Sequence, residues 1–193
     1  MGLRYFLELY LTRVFLLFLP LLLTSCAYRW GAPDRSLPGG YRRVYIPVFR
    51  NLTNEPGIEV DFTNALRREF ERSKIARVST PEMADAEIVG EIKNLDYRPE
   101  APKEGDTLPT GTVIVTQYNI VLSVKIMLKR KADHFVLWSG DFSSQRPYLA
   151  PQVTAAGINT VNPLYNLSAR RQNIQVISGS LMAEAHDRLT ENF

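Results

Sequence analysis

Cys26 is the only cysteine among 193 residues, and it stands directly after Leu23-Thr24-Ser25. A lone thiol cannot form an internal disulfide. Its remaining chemistry is that of a reactive nucleophile or of an acyl acceptor. The residues before it are the types a lipoprotein signal peptidase accepts, so 23–26 reads as a lipobox. In that pattern the chain is cut before the cysteine and the sulfur is diacylated, which excludes thiol catalysis. The other groups assemble no catalytic constellation. His134 falls in a turn between strands and His186 on the terminal helix. No HExxH, GxSxG, P-loop or GxGxxG is present. Asp85, Glu87 and Glu91 gather around one strand, where alternation puts Glu87 and Glu91 on a common face. A solvated sheet face accounts for them, and no spacing of histidines and carboxylates suits a metal. The expectation is a non-enzyme without metal or cofactor.

Arg4 and Arg13 flank Glu8 ahead of an apolar run from Val14 to Leu23. Ten residues at helical rise reach about 15 Å, half of a bilayer core, so the run is too short to span. Residues 1–25 are therefore expected to be a leader, 26–40 a lipidated tether and 41–193 a single domain. Two or more acyl chains hold stably where one does not, which fixes the protein to a membrane surface. Ala27, rather than aspartate, follows the cysteine and points to the outer membrane, on its periplasmic side.

The whole chain carries 23 Lys+Arg against 20 Asp+Glu. So mild a balance does not argue for nucleic acid. The elements follow from periodicity. Val44, Ile46 and Val48 alternate in a strand over 41–49, where Pro47 favours an edge or a bulge. Ile58, Phe62, Ala65, Leu66 and Phe70 form one stripe of a helix over 58–73. Ala86, Ile88, Gly90 and Ile92 alternate in a second strand, and Leu95 and Tyr97 on the other parity predict a bulge near Asn94. Residues 98–111 read as a long loop. Residues 112–130 form the strongest strand, with 114, 118, 120, 122, 124, 126 and 128 on one face. A tight connection at 131–134 and alternation at 136–142 make a hairpin. Residues 143–169 show no period. Ile174, Ile177, Leu181, Ala185 and Leu189 mark a last helix over 170–190. The order implies an α+β fold, with two helices packed on one face of a mostly antiparallel four-stranded sheet.

The passage VYIPVFRNLTNEPGIEVDFTNALRREF, followed by Ala84-Asp85-Ala86-Glu87-Ile88-Val89-Gly90-Glu91-Ile92, resembles the LptE family of lipopolysaccharide-assembly lipoproteins. The likeness extends through the Tyr118 strand, Val136-Leu137-Trp138 and the terminal helix. Ala27-Tyr28 replaces the family's usual glycine and aromatic after the cysteine. The resemblance implies two partners, an LptD-type outer-membrane β-barrel whose lumen the protein plugs and lipopolysaccharide itself, and no covalent chemistry. Clustered phosphates would be met by basic side chains. The candidates are Arg98 and Lys103 after the second strand, Lys125 and Lys129 on the polar face of the third, and Arg170 and Arg171 at the start of the last helix. A solvated surface supplies such charges too. Cations at a helix N-terminus gain nothing from its dipole, which singles out Arg170-Arg171.

A second reading stays open. Ile46-Pro47-Val48-Phe49-Arg50-Asn51 is also similar to the opening strand of LpoB-type activators of peptidoglycan synthases. An activator crossing the periplasm would want a long linker, whereas about 14 residues reach roughly 50 Å at most.

Overall fold

A computed structural model describes residue 13 and residues 35–103, 114–149 and 163–191. Apart from residue 13, the leader lies outside the described residues, as do Cys26 and Ala27. So do 104–113 of the expected long loop and 150–162 of the aperiodic stretch.

The elements are β1 (Arg43–Tyr45), β2 (Arg50–Asn51), α1 (Ile58–Ser73), β3 (Arg77–Val78), β4 (Ala86–Lys103), β5 (Ile114–Arg130), β6 (Val136–Leu149) and α2 (Pro163–Thr190). The fold is α+β, but the sheet is mixed and six-stranded rather than four-stranded. Its order is β3-β1-β4-β5-β6, with β2 also on β4. β1, β2 and β3 all join in parallel, and only β4-β5-β6 is an antiparallel meander. β3 is two residues long and too short to carry a period, which is why alternation could not reveal it.

Proline chemistry explains the divided first strand. Tyr45 pairs with Glu87 and Arg50 with Glu91. One more residue stands on the 45–50 side than on its partner, so Pro47 sits in a bulge between β1 and β2. The bulge turns Phe49 onto Gly90. A Cβ at residue 90 would lie 2.3 Å from the Phe49 ring, so only glycine fits beneath it. Thr63 of α1 fixes the same corner by accepting a hydrogen bond from Phe49 N at 3.0 Å.

The register also shifts between Ile92 and Asn94, as the change of parity predicts. After this bulge Leu95 and Tyr97 face the helices, paired with Leu122 and Ile120. β4 then continues to Lys103 with irregularities around Pro99 and Pro102. The start of the expected loop is therefore strand: edge-type bulges accommodate prolines that argue against a regular ladder. Likewise 143–149 extends β6 and 163–169 belongs to α2. Ser143, Ser144 and Gln145 pair across to β5 with no apolar alternation of their own to announce it.

The core joins Val44, Ile88, Ile92 and the even-numbered residues 120–128 to both helix stripes. Ile58, Phe62, Ala65, Leu66 and Phe70 are all buried, as are Ile174, Ile177, Leu181, Ala185 and Leu189. Leu37, which the sequence reading assigns to the tether, is also core at 1% exposure. The packed unit spans Arg35–Phe193.

His186 lies inside this core, 3% exposed, its ring edge-on to Phe70 at 4.9 Å and its Nε2 2.8 Å from Ser73 Oγ. Desolvation holds its pKa below the usual imidazole value, against the opposing pull of Asp187. The folded state thus resists a proton that the unfolded chain accepts below its own pKa of about 6.5. This contribution to stability is complete above that pH and is lost as pH falls. Melting temperature is expected to drop as pH falls below about 6.5, and His186→Gln is expected to flatten that slope. Parallel slopes in the two proteins would show that His186 does not carry it.

Candidate functional site

The two ends of the domain differ chemically. At one end lie the C-termini of both helices, the starts of β1, β3 and β4, and the β5–β6 turn. Arg35 enters here, bound to Asp187 of α2 at 3.0 Å. The other end holds the start of α1, the N-terminal half of α2, the end of β4 and β6, and the start of β5. The seventeen residues of β5 run roughly 55 Å along the sheet between them, and the sixteen residues of α1 about 24 Å.

The far end carries a polar-aromatic cluster. Asn51 organises the loop that brings in Glu55. Its Oδ1 accepts from Thr53 N at 2.9 Å, and its Nδ2 donates to Glu55 O at 2.8 Å and to Glu59 Oε2 at 2.9 Å. Glu59 in turn accepts from Gly57 N, whose φ of 90° lets the chain turn into α1. Tyr97 Oη donates to Glu55 Oε2 at 3.0 Å. Arg170 Nη1 lies 3.7 Å from the same oxygen, with its guanidinium 4.9 Å from the Tyr97 ring centre. Tyr148 stands edge-on to Tyr97 at 6.3 Å and stacks on Tyr118 at 5.8 Å.

Electrostatics follow from this packing. Burial, reinforced by Glu55, pushes the Tyr97 phenol up to about 12. Burial also raises Tyr148. For Arg170, desolvation disfavours the cation, but Tyr97 and Glu55 outweigh it and the pKa is raised. Tyr97, Tyr148 and Arg170 keep their charge states through the physiological range, so the cluster holds a cation beside phenol donors. Arg170 Nε is buried and has no hydrogen-bond partner among the described residues.

The six basic candidates separate. Arg170 is engaged by Glu55, whereas neighbouring Arg171 is exposed. Because α2 starts at Pro163, the pair lies two turns inside the helix and not at its entrance. The dipole argument fails for α2. Arg171 instead reaches the start of α1: its Nη2 is 3.3 Å from the Cβ position of Gly57. Arg98 is exposed on the opposite sheet face, 3.9 Å from Asp96. Lys125 pairs across strands with Glu91 and Asp141, and Lys129 with Glu87. These lysines therefore stand in a ladder already balanced by carboxylates. Lys103 ends β4, and its side chain lies outside the described residues. Strand alternation and spacing keep Arg98, Lys125 and Lys129 from joining the arginine pair. Of the acidic group, Asp85 is held by Arg43 and Glu91 by Lys93, each at 2.8 Å, so both are structural ion pairs.

Glu55, Tyr118 and Tyr148 belong to the cluster although nothing singled them out in the sequence. Tyr97 and Tyr118 share the buried parity of their strands after the Asn94 bulge, which was the available signal. Glu55 sits in a turn, and its meeting with Tyr97, 42 residues away, is a tertiary fact.

Comparison with known proteins places the chain. The model of the LptE family, described as lipopolysaccharide-assembly, matches residues 41–191. No curated protein matches significantly. Among solved structures, a PelC dodecamer from Paraburkholderia phytofirmans is similar at 16% identity and TM-score 0.46, covering 82% of this chain and 92% of that one. A putative lipoprotein from Caulobacter crescentus is similar at 9% identity and TM-score 0.48, covering 74% and 88%. The rare lipoprotein B from Shewanella oneidensis is similar at 14% identity and TM-score 0.40, covering 77% and 90%. These three likenesses carry no functional argument.

Proposed function

We propose that this chain, which belongs to the LptE lipopolysaccharide-assembly family, is an outer-membrane lipoprotein that seats inside an LptD-type β-barrel and helps deliver lipopolysaccharide to the outer leaflet. The observation that carries this reading is the opposition of the two ends. The chain enters beside Asp187, and Arg170 and Arg171 of the tyrosine cluster lie seventeen and sixteen residues away on the same helix, about 25 Å along its axis. Acyl chains on Cys26 would hold the first end at the periplasmic leaflet and leave the second to project into the barrel. Such a plug needs no covalent chemistry.

Two further features support it. The sheet face away from the helices is a ladder of compensated charges, Glu87-Lys129 and Glu91-Lys125-Asp141. A balanced polar surface suits the polar interior of a barrel. The exposed Arg171 guanidinium is suited to phosphate oxygens. The activator reading fares worse, because packing from Arg35 leaves only the stretch before it as tether. That stretch reaches about 30 Å from Cys26, too little to cross a periplasm.

Separate substitutions test the arginine assignment. Arg171→Ala is expected to change stability by no more than about 0.5 kcal/mol and to weaken lipopolysaccharide binding by the purified protein. Arg170→Ala is expected to weaken binding and also to cost on the order of 1–2 kcal/mol, because it removes the ion pair with Glu55 and the stacking on Tyr97. Unchanged binding in both proteins would remove the pair from the lipopolysaccharide path.

A further inference from the structure

The end where the chain enters carries apolar surface that no part of the plug reading uses. Phe135 and Met83 are each 60% exposed and Val136 is 42% exposed. They belong to different loops that the structure ties together. Lys131 N donates to Asp85 O at 3.2 Å, and Lys131 Nζ donates to Pro81 O. The 81–85 turn and the β5–β6 turn therefore form one surface.

The charge around this surface is specific. Arg130 lies over the Phe135 ring, 5.7 Å from its centre. Lys131 is exposed beside it, and Arg42 and Arg77 are exposed on the adjoining strand ends. The nearby carboxylates are mostly spent internally: Asp85 on Arg43 through two bonds of 3.0 and 2.8 Å, and Asp133 on Arg130 at 3.1 Å. Glu82 is exposed, as is Asp133, and Lys131 is close enough to Glu82 to lower its pKa after its backbone and Thr80 hydrogen bonds do so. What faces outward is an aromatic and aliphatic tip edged by five cations, Arg42, Arg43, Arg77, Arg130 and Lys131, against three carboxylates, Glu82, Asp85 and Asp133.

Chain connectivity says what such a tip meets. Arg35 is pinned to Asp187, and the contacts Ser73-His186, Arg77-Arg43 and Asp85-Lys131 link that point to the tip at the same end. Nine residue steps from Cys26 reach about 30 Å at most. A lipid on Cys26 therefore keeps this end within about 30 Å of a bilayer. Confinement of this kind raises the effective concentration of a second, weak contact enough to populate it. Aromatic and aliphatic side chains among lysines and arginines are the composition that rests in an anionic headgroup layer.

We infer that Met83, Phe135 and Val136, with Arg130 and Lys131, form a second membrane contact that docks the anchored end onto anionic phospholipid. This rests on the acylation of Cys26 proposed above. The contact would fix the tilt of the domain relative to the membrane, which a lipid anchor alone leaves free.

The test uses the acylated protein in vesicles of phosphatidylethanolamine and phosphatidylglycerol. Acylation consumes the native thiol, so Met83→Cys and, separately, Leu167→Cys each provide a single site for a spin label. Leu167 is exposed near the far end and serves as the aqueous reference. The label at 83 is expected to collide several-fold more with oxygen and several-fold less with a water-soluble nickel chelate than the label at 167. Phe135→Ser, or vesicles of phosphatidylcholine alone, should return it to the aqueous values. Equal accessibility at the two positions would overturn the inference. So would nickel shielding without a gain in oxygen collisions that grows with protein density, because that marks contact between copies. A purified protein whose mass lacks acyl chains would overturn the anchoring reading and this inference together. Acylated protein with an aqueous label at 83 overturns this inference alone.

Discussion

Phe70→Ala is expected to remove about 3–5 kcal/mol of folding stability. Domains of this kind hold about 5–15 kcal/mol in total, so the loss is a large fraction of what keeps the chain folded. The size follows from position. Phe70 is fully buried near the end of α1, in contact with the His186 ring of α2, and its helix ends one turn later at Lys74, whose N–H bonds back to Phe70 O at 3.0 Å. Removing the ring opens a cavity at the seam of the two helices, and the sheet beneath cannot collapse into it. The melting temperature should fall by roughly 10 °C. Arg68→Ala, on the exposed face of the same helix, should change stability by less than about 0.5 kcal/mol. A loss below about 1 kcal/mol at Phe70 would contradict the packing of α1 and α2 in one core.

Cys26→Ser is expected to have the largest effect on function. A serine hydroxyl does not form the thioether, so the diacylglyceryl group and its anchoring energy of about 0.8 kcal/mol per buried CH2 are lost together. Behind a leader whose cleavage does not depend on the cysteine, the protein should move from the membrane fraction almost entirely into the soluble periplasmic fraction. Any residual attachment through the Met83-Phe135 tip should disappear at high salt, because its cationic part is screened. Persistence of the serine variant in salt-washed membranes would contradict the anchor.

Sequence reading was strongest where the period was long. The bounds of α1, the buried parity of 120–128, the hairpin turn and the Asn94 bulge all follow from residue alternation, and the structure bears them out. It was weakest where pairing is set by tertiary contact. β2 and β3 hold two residues each, less than one full alternation. Strand through Pro99 and Pro102 contradicts local propensity and persists because β5 supplies a partner with shifted register. The start of α2 was hidden because its first turns lack an apolar stripe. The site divided in the same way. Arg170 and Arg171 drew attention as adjacent cations, but only the fold shows that one is clamped by Glu55 while the other reaches Gly57. Lys125 and Lys129 looked free in a list of strand residues, and their neutralising carboxylates came from β4 and β6.

The central claim is a partnership, and the direct test is to purify the lipidated protein from outer membranes at native abundance and identify what co-elutes. The account predicts one large β-barrel protein in equal amount, retained through detergent exchange. Co-elution of a peptidoglycan synthase, or elution with no partner, would contradict it.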